Sequence, residues 1–92
     1  MIKGFADRAT EDFYNGKRVH ALEPIREKAE RKLVMLESAT ALEDLSMPPG
    51  NGLEGLRGKR QGQYSIRIDL RWRLCFRWID GHAYDVEIVD YH

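Results

Sequence analysis

From Tyr64 onward, apolar side chains fall on every second residue: Tyr64, Ile66 and Ile68, then Trp72, Leu74, Phe76 and Trp78, then Tyr84, Val86 and Ile88. A spacing of two puts such residues on one face of an extended chain, so this stretch is satisfied by half-buried strands and by little else. Asp80-Gly81, between the second and third runs, is a hairpin signal. A two-residue loop there pairs Phe76 with Asp85 and Leu74 with Glu87. A three-residue loop of Asp80, Gly81 and His82 pairs Phe76 with Val86, Leu74 with Ile88 and Arg77 with Asp85. The second register is the expected one, since it sets apolar against apolar and charge against countercharge.

Upstream the period is that of a helix. Ile25, Ala29, Leu33 and Leu36 recur at helical spacing behind Pro24, which suits a first turn, and predict a helix over about 23–38. Asp7 is a candidate N-cap for an earlier helix ending at Asn15-Gly16, preceded by a weakly alternating stretch, 2–5, that reads as a short strand. Thr40 and Glu43 form a capping-box pattern for a short helix over 41–45. Pro48-Pro49-Gly50-Asn51-Gly52 then ends all helical signal, and 53–56 reads as a further strand before a turn at Gly58. Helices first and an antiparallel meander after them predict an α+β fold, with the N-terminal helices packed on one face of a small sheet in two layers. At 92 residues there is one core, hence a single domain over 1–92, and any active site is expected to be a surface groove.

Lys and Arg balance Asp and Glu at 15 each, but the charges are segregated along the chain. Residues 1–56 carry 8 basic and 10 acidic side chains, residues 57–77 carry 7 and 1, and residues 78–92 carry none and 4. The positions between the apolar ones are taken by Arg67, Arg71, Arg73 and Arg77, and Arg57, Lys59 and Arg60 precede them. With helices on the opposite side, this face is open and strongly positive, and guanidinium forks on a rigid sheet match phosphate oxygens in pairs. Nucleic acid is the natural polyanion. The pattern alone equally allows an ordinary solvated strand face neutralised by Asp85, Glu87 and Asp90.

Other chemistries are narrowed by what the chain offers. Cys75 is the single cysteine, which excludes a disulfide framework or a thiolate-rich zinc site and suits a reducing compartment. His20 and His82 have no ligand-spaced partners, so neither a metal nor another cofactor is expected. No stretch reads as a membrane span or a signal peptide, and a cytoplasmic location is expected. Cys75 lies among arginines able to lower its pKa, though it reads more simply as a small side chain in the sheet. Trp72, Phe76 and Trp78 share a face and read as core rather than as a base-stacking platform. Asp90, Tyr91 and His92, following a strand, assemble a carboxylate, a phenol and an imidazole, the groups acid–base catalysis uses. A frayed tail without a role is the alternative.

Taken together, Pro48-Pro49-Gly50-Asn51, the run Gly62 to Ile68 (GQYSIRI), the run Trp72 to Phe76 (WRLCF) and the final Val86 to His92 (VEIVDYH) resemble the HigB toxins of the RelE superfamily over nearly the whole chain. The resemblance implies a bacterial type II toxin that cuts messenger RNA on the ribosome and is neutralised by a helix-turn-helix antitoxin of the HigA type. It implies that Arg73 sits at the scissile phosphate, that Asp90, Tyr91 and His92 form a catalytic tail, and that Arg57, Lys59 and Arg60 form a basic RNA-binding loop, with Arg67 and Arg71 adding to the positive face. Asp90 or His92 would move the protons, and Tyr91 would orient the nucleotide. Two departures stand out. Some relatives carry a histidine where this chain has Glu54, which puts a general-base role for that position in question, and many carry Asn-Asp-Gln where it has Asp69-Leu70-Arg71. Competing readings are a ParE-like inhibitor that binds DNA gyrase without catalysis, and a non-catalytic RNA-binding domain.

Overall fold

The computed structural model describes residues 1–90. Its first helix, α1 (Arg8–Tyr14), starts where expected, because the Asp7 carboxylate accepts the Thr10 N–H at 3.1 Å. It ends at Asn15, and Gly16 then takes φ +88°. The single helix predicted over 23–38 is two pieces, a 3-10 turn over His20–Ile25 and α2 over Arg26–Ser38. Pro24 lies inside the 3-10 turn, where it has no N–H to give, and Ile25 leaves helical geometry at φ −113° and ψ 12° before α2 begins. The next turn, Leu42–Leu45, is also 3-10. Its cap is one residue later than the pattern suggested, so Asp44 and not Glu43 accepts the Thr40 and Ala41 N–H groups, both at 3.1 Å. Those bonds hold the Asp44 carboxyl below its ordinary range.

Four strands form one antiparallel sheet in chain order: β1 (Glu54–Gly55), β2 (Tyr64–Arg67), β3 (Trp72–Ile79) and β4 (His82–Asp90). Residues 2–5 run parallel to β4 through bridges at Ile2 to Ala83 and Phe5 to Val86, covering that edge. The β3–β4 loop is a two-residue turn closed by Ile79 and His82, with positive φ at both Asp80 (+51°) and Gly81 (+81°). The three-residue loop is therefore not formed. Yet further along, Leu74 does face Ile88, because a bulge between Cys75 and Arg77 inserts one extra residue in β4. Asp85 carries it, at φ +51°, and its carboxylate lies 3.2 Å from Arg77 Nε. The bulge restores apolar pairing that the short turn alone would have destroyed.

Ala29, Leu33 and Leu36 of α2 bury against Ile66, Leu74, Phe76, Val86 and Ile88 of the sheet. Thr10 Oγ1 accepts the Ile88 N–H at 3.0 Å and pins α1 to β4. The helices thus occupy one side of the sheet, as the α+β expectation required. The β2–β3 turn is held by Asp69, whose Oδ1 accepts the Arg71 and Trp72 N–H groups, each at 2.8 Å.

The N–H of Trp72, and then that of Arg71, hold the Asp69 carboxyl below its ordinary range. A depressed folded-state pKa contributes stability above the unfolded carboxylate pKa near 4 and loses it as pH falls through the folded value. Asp69→Ala is accordingly expected to destabilise the fold by about 1 kcal/mol at neutral pH. The difference from wild type should shrink below pH ~4 in urea melts followed by circular dichroism.

Candidate active site

Side chains directly opposite one another on paired strands share a face. Glu54 faces Ser65, Ser65 faces Cys75, and Cys75 faces Glu87, so one row crosses all four strands on the side away from the helices. In the next row Arg67 faces Arg73 and Arg73 faces Val89. Charges of both signs converge there: Arg60 Nη1 lies 3.1 Å from Glu87 Oε1, and Arg73 Nη2 lies 3.7 Å from Glu54 Oε1. Cys75 is fully buried at the centre. Burial pushes its thiol above the ordinary range, Glu87 and Glu54 add to this, and Arg60 and Arg73 oppose it without prevailing. The lowered cysteine pKa that the arginine-rich surroundings suggested is thus reversed by desolvation, and Cys75 is a packing residue.

Arg73 is the unusual member of this face, its side chain only 10% exposed. Nε donates to Ser65 Oγ at 2.8 Å, and Nη2 donates to Gly52 O at 2.5 Å and to Ser65 O at 3.4 Å. Among the described residues, Nη1 has no hydrogen-bond partner and is not sealed from solvent. The guanidinium is thus clamped along one edge and presents its remaining donors outward. Arg67 crowds the same point: a Cβ at Gly52 would meet Arg73 Nη2 at 3.7 Å and Arg67 Nη2 at 3.9 Å. Two guanidiniums so close repel one another and favour an anion between them.

The loop that brings the Gly52 carbonyl to Arg73 is itself anchored by Asn51, which is completely buried and donates from Nδ2 to Leu45 O at 2.9 Å. Gly52 takes φ +53°, a conformation that suits glycine. Neither residue was singled out by chemistry in the sequence, since a backbone carbonyl arriving 21 positions from its donor leaves no trace in spacing. Ser65 and Glu87 were legible only as polar positions of the alternating strands.

The other expected site residues divide. Arg57, just before the 3-10 turn Gly58–Arg60, and Lys59, within it, are exposed, while Arg60 is half-buried and reaches Gln63 Oε1 as well as Glu87. Arg71 lies in the β2–β3 turn rather than in a strand. It grips Asp90 with two bonds, 2.8 Å from Nε to Oδ1 and 2.6 Å from Nη2 to Oδ2, and rests 5.5 Å from the Trp72 ring centre. Asp90 faces Trp72 across the ladder, on the opposite side of the sheet from Arg73. Tyr91 and His92 lie outside the described residues. The positive face is thus made by Arg60, Arg67, Arg73 and Arg77, with Arg71 turned to the carboxylate at the end of β4. Among the described residues no helix is long and apolar enough to cross a membrane.

The site therefore sits on a four-stranded antiparallel sheet backed by helices, with guanidiniums gathered on the opposite face. The chain superposes on a chain of the YoeB-YefM complex from Staphylococcus aureus with a TM-score of 0.63 at 22% identity, over 100% of this chain and 98% of that one. At the level of sequence, the family described as "RelE-like toxin of type II toxin-antitoxin system HigB" matches residues 3–92. Toxin HigB-1 of Vibrio cholerae is 43% identical over 85 residues, 90% of each chain. Endoribonuclease HigB of Proteus vulgaris is 34% identical over 61 residues, 66% of this chain and 65% of that protein. The chain belongs to the HigB-like family of type II toxin-antitoxin toxins.

Proposed function

We propose that this protein is a ribosome-dependent endoribonuclease that cuts translated messenger RNA in the cytoplasm and is held in check by a HigA-type helix-turn-helix antitoxin. The observation that carries the reading is Arg73: a guanidinium immobilised on Ser65 and Gly52, its Nη1 donors free, beside the Glu54 carboxylate. Such a group pre-orients positive charge where a phosphate would develop negative charge, and its reorganisation cost is met by folding. The endoribonuclease name of the Proteus vulgaris relative supports the same conclusion.

RNA brings its own nucleophile, so the reaction needs a base, a cation and an acid and no metal. Glu54 takes the 2′-hydroxyl proton, the 2′-oxygen bonds to phosphorus, and Arg73 stabilises the charge on the non-bridging oxygens. The bond from phosphorus to the 5′-oxygen breaks as His92 returns a proton to the leaving oxygen, giving a 2′,3′-cyclic phosphate and a 5′-hydroxyl. Tyr91 orients the nucleotide, and Asp90, gripped by Arg71, anchors the strand from which Tyr91 and His92 follow. Arg57, Lys59, Arg60 and Arg67 hold neighbouring phosphates, which makes binding fall steeply with salt.

Primer extension on messenger after induction of the toxin tests this. The expected result is cuts within translated codons that disappear when residues 91–92 are deleted, which leaves the Arg71–Asp90 pair in place, with the circular dichroism spectrum unchanged. Toxicity that survives the deletion would contradict the nuclease reading and favour inhibition by protein contact, as at DNA gyrase. Salt-sensitive RNA binding without scission would reduce the protein to a binder.

A further inference from the structure

We infer that Asn51 and Lys32 are positioning residues for Arg73, an inference that rests on the nuclease reading above. Asn51 is fully buried, yet each of its polar groups is engaged. Its N–H donates to Pro48 O at 3.3 Å and its carbonyl accepts the Arg67 N–H at 2.6 Å. Its Oδ1 accepts from Lys32 Nζ at 2.5 Å, and its Nδ2 donates to Leu45 O and, at 3.1 Å, to Met35 Sδ. The residue is therefore tied to α2 through Lys32 and Met35, to the 3-10 turn through Leu45, and to β2 through Arg67. The next residue, Gly52, accepts from Arg73 Nη2.

A buried amide with every bond made is sensitive to the loss of any one partner, whereas an apolar residue in its place would need none. What the amide provides is registration. It fixes the height of the Gly52 carbonyl above the sheet, and that carbonyl fixes the edge of the Arg73 guanidinium. Lys32 is the far end of the chain of contacts, on α2 in the helix layer. Its Nζ bond to Asn51 Oδ1 is the link that joins it to the site. Misplacement of a catalytic group by about 1 Å costs as much as 100-fold in rate, so the effect should be measurable.

The test uses the full chain, with single-turnover cleavage of a defined messenger on translating ribosomes and the 15N spectrum of the Arg73 Nε–H group. Lys32→Met keeps the aliphatic stem and removes the cation. It is expected to lower the maximal rate of the folded protein by on the order of 10-fold. The ribosome concentration at half-maximal rate should stay fixed, the Arg73 Nε–H resonance should shift, and Lys32→Arg should restore both. In an Arg73→Lys background the Lys32→Met loss should vanish, since coupled residues are not additive. Asn51→Asp, which keeps shape and removes the Nδ2 donor, should shift the same resonance. An unshifted resonance in Lys32→Met and Asn51→Asp, both folded, or fully additive rate losses, would overturn the link. A full rate in Arg73→Lys alongside shifted resonances would leave the link standing and overturn the nuclease assignment of Arg73.

Discussion

Arg73→Ala is expected to lower the rate of messenger cleavage by on the order of 100- to 1000-fold, about 2.7 to 4 kcal/mol of transition-state stabilisation. The guanidinium is the most buried cation of the polar face, held by Ser65 Oγ and Gly52 O. Its removal also strands Ser65 Oγ and Gly52 O, so a loss of about 1 to 3 kcal/mol in folding stability accompanies the loss of activity. The two effects separate in a thermal melt: the rate should stay low at temperatures where the variant is fully folded. Arg73→Lys keeps the charge and loses the two-pronged geometry, and it should recover only part of the rate. Wild-type cleavage by folded Arg73→Ala would remove the cation from the mechanism.

Glu54→Gln is expected to cost on the order of 100- to 10,000-fold in the maximal rate, the range for loss of a general base. The same substitution removes an anion from a phosphate site, so RNA should bind more tightly, and the separation of the two effects in kcat and KM identifies the role. The sequence left this position in question because some relatives carry histidine there. Glu54 opens β1, with its carboxylate about half exposed and 3.7 Å from Arg73 Nη2. Asp90, the carboxylate the tail pattern suggested, belongs to the Arg71 pair on the other side of the sheet. Glu54→His should keep measurable activity with a changed pH profile, because imidazole can accept the same proton. A wild-type rate in Glu54→Gln would return the base to Asp90 or His92.

Much of this architecture was legible because it rests on periodicity. Alternation at Ile66, Leu74, Phe76 and Val86 places the sheet's buried face, and the helical spacing of Ala29, Leu33 and Leu36 places the layer that covers it. What periodicity misses are local conformations chosen by tertiary context. The left-handed Asp80 and Asp85 yield a tight turn and a compensating bulge, and either alone would set the wrong register. The pattern read as one helix breaks at Ile25 into a 3-10 turn that contains Pro24 and α2. Arg71 matches the alternating arginines by number, but the Asp69 turn takes it out of the strand and Asp90 claims it. Arg73 was legible as a residue of the positive face, while its burial was not, because the carbonyl that clamps it comes from a glycine in a distant loop. Cys75 shows the same limit, since neighbouring arginines are visible in sequence and the desolvation that outweighs them is not.

The most direct test of the account replaces a single ribose. A messenger with one 2′-deoxynucleotide on the 5′ side of the mapped scissile phosphate, translated in a reconstituted system with the toxin, should escape cutting at that site while neighbouring sites are still cut and ribosome occupancy is unchanged. Cutting at the deoxy position with the rate of the all-ribose messenger would contradict an Arg73-centred reaction driven by the RNA's own hydroxyl.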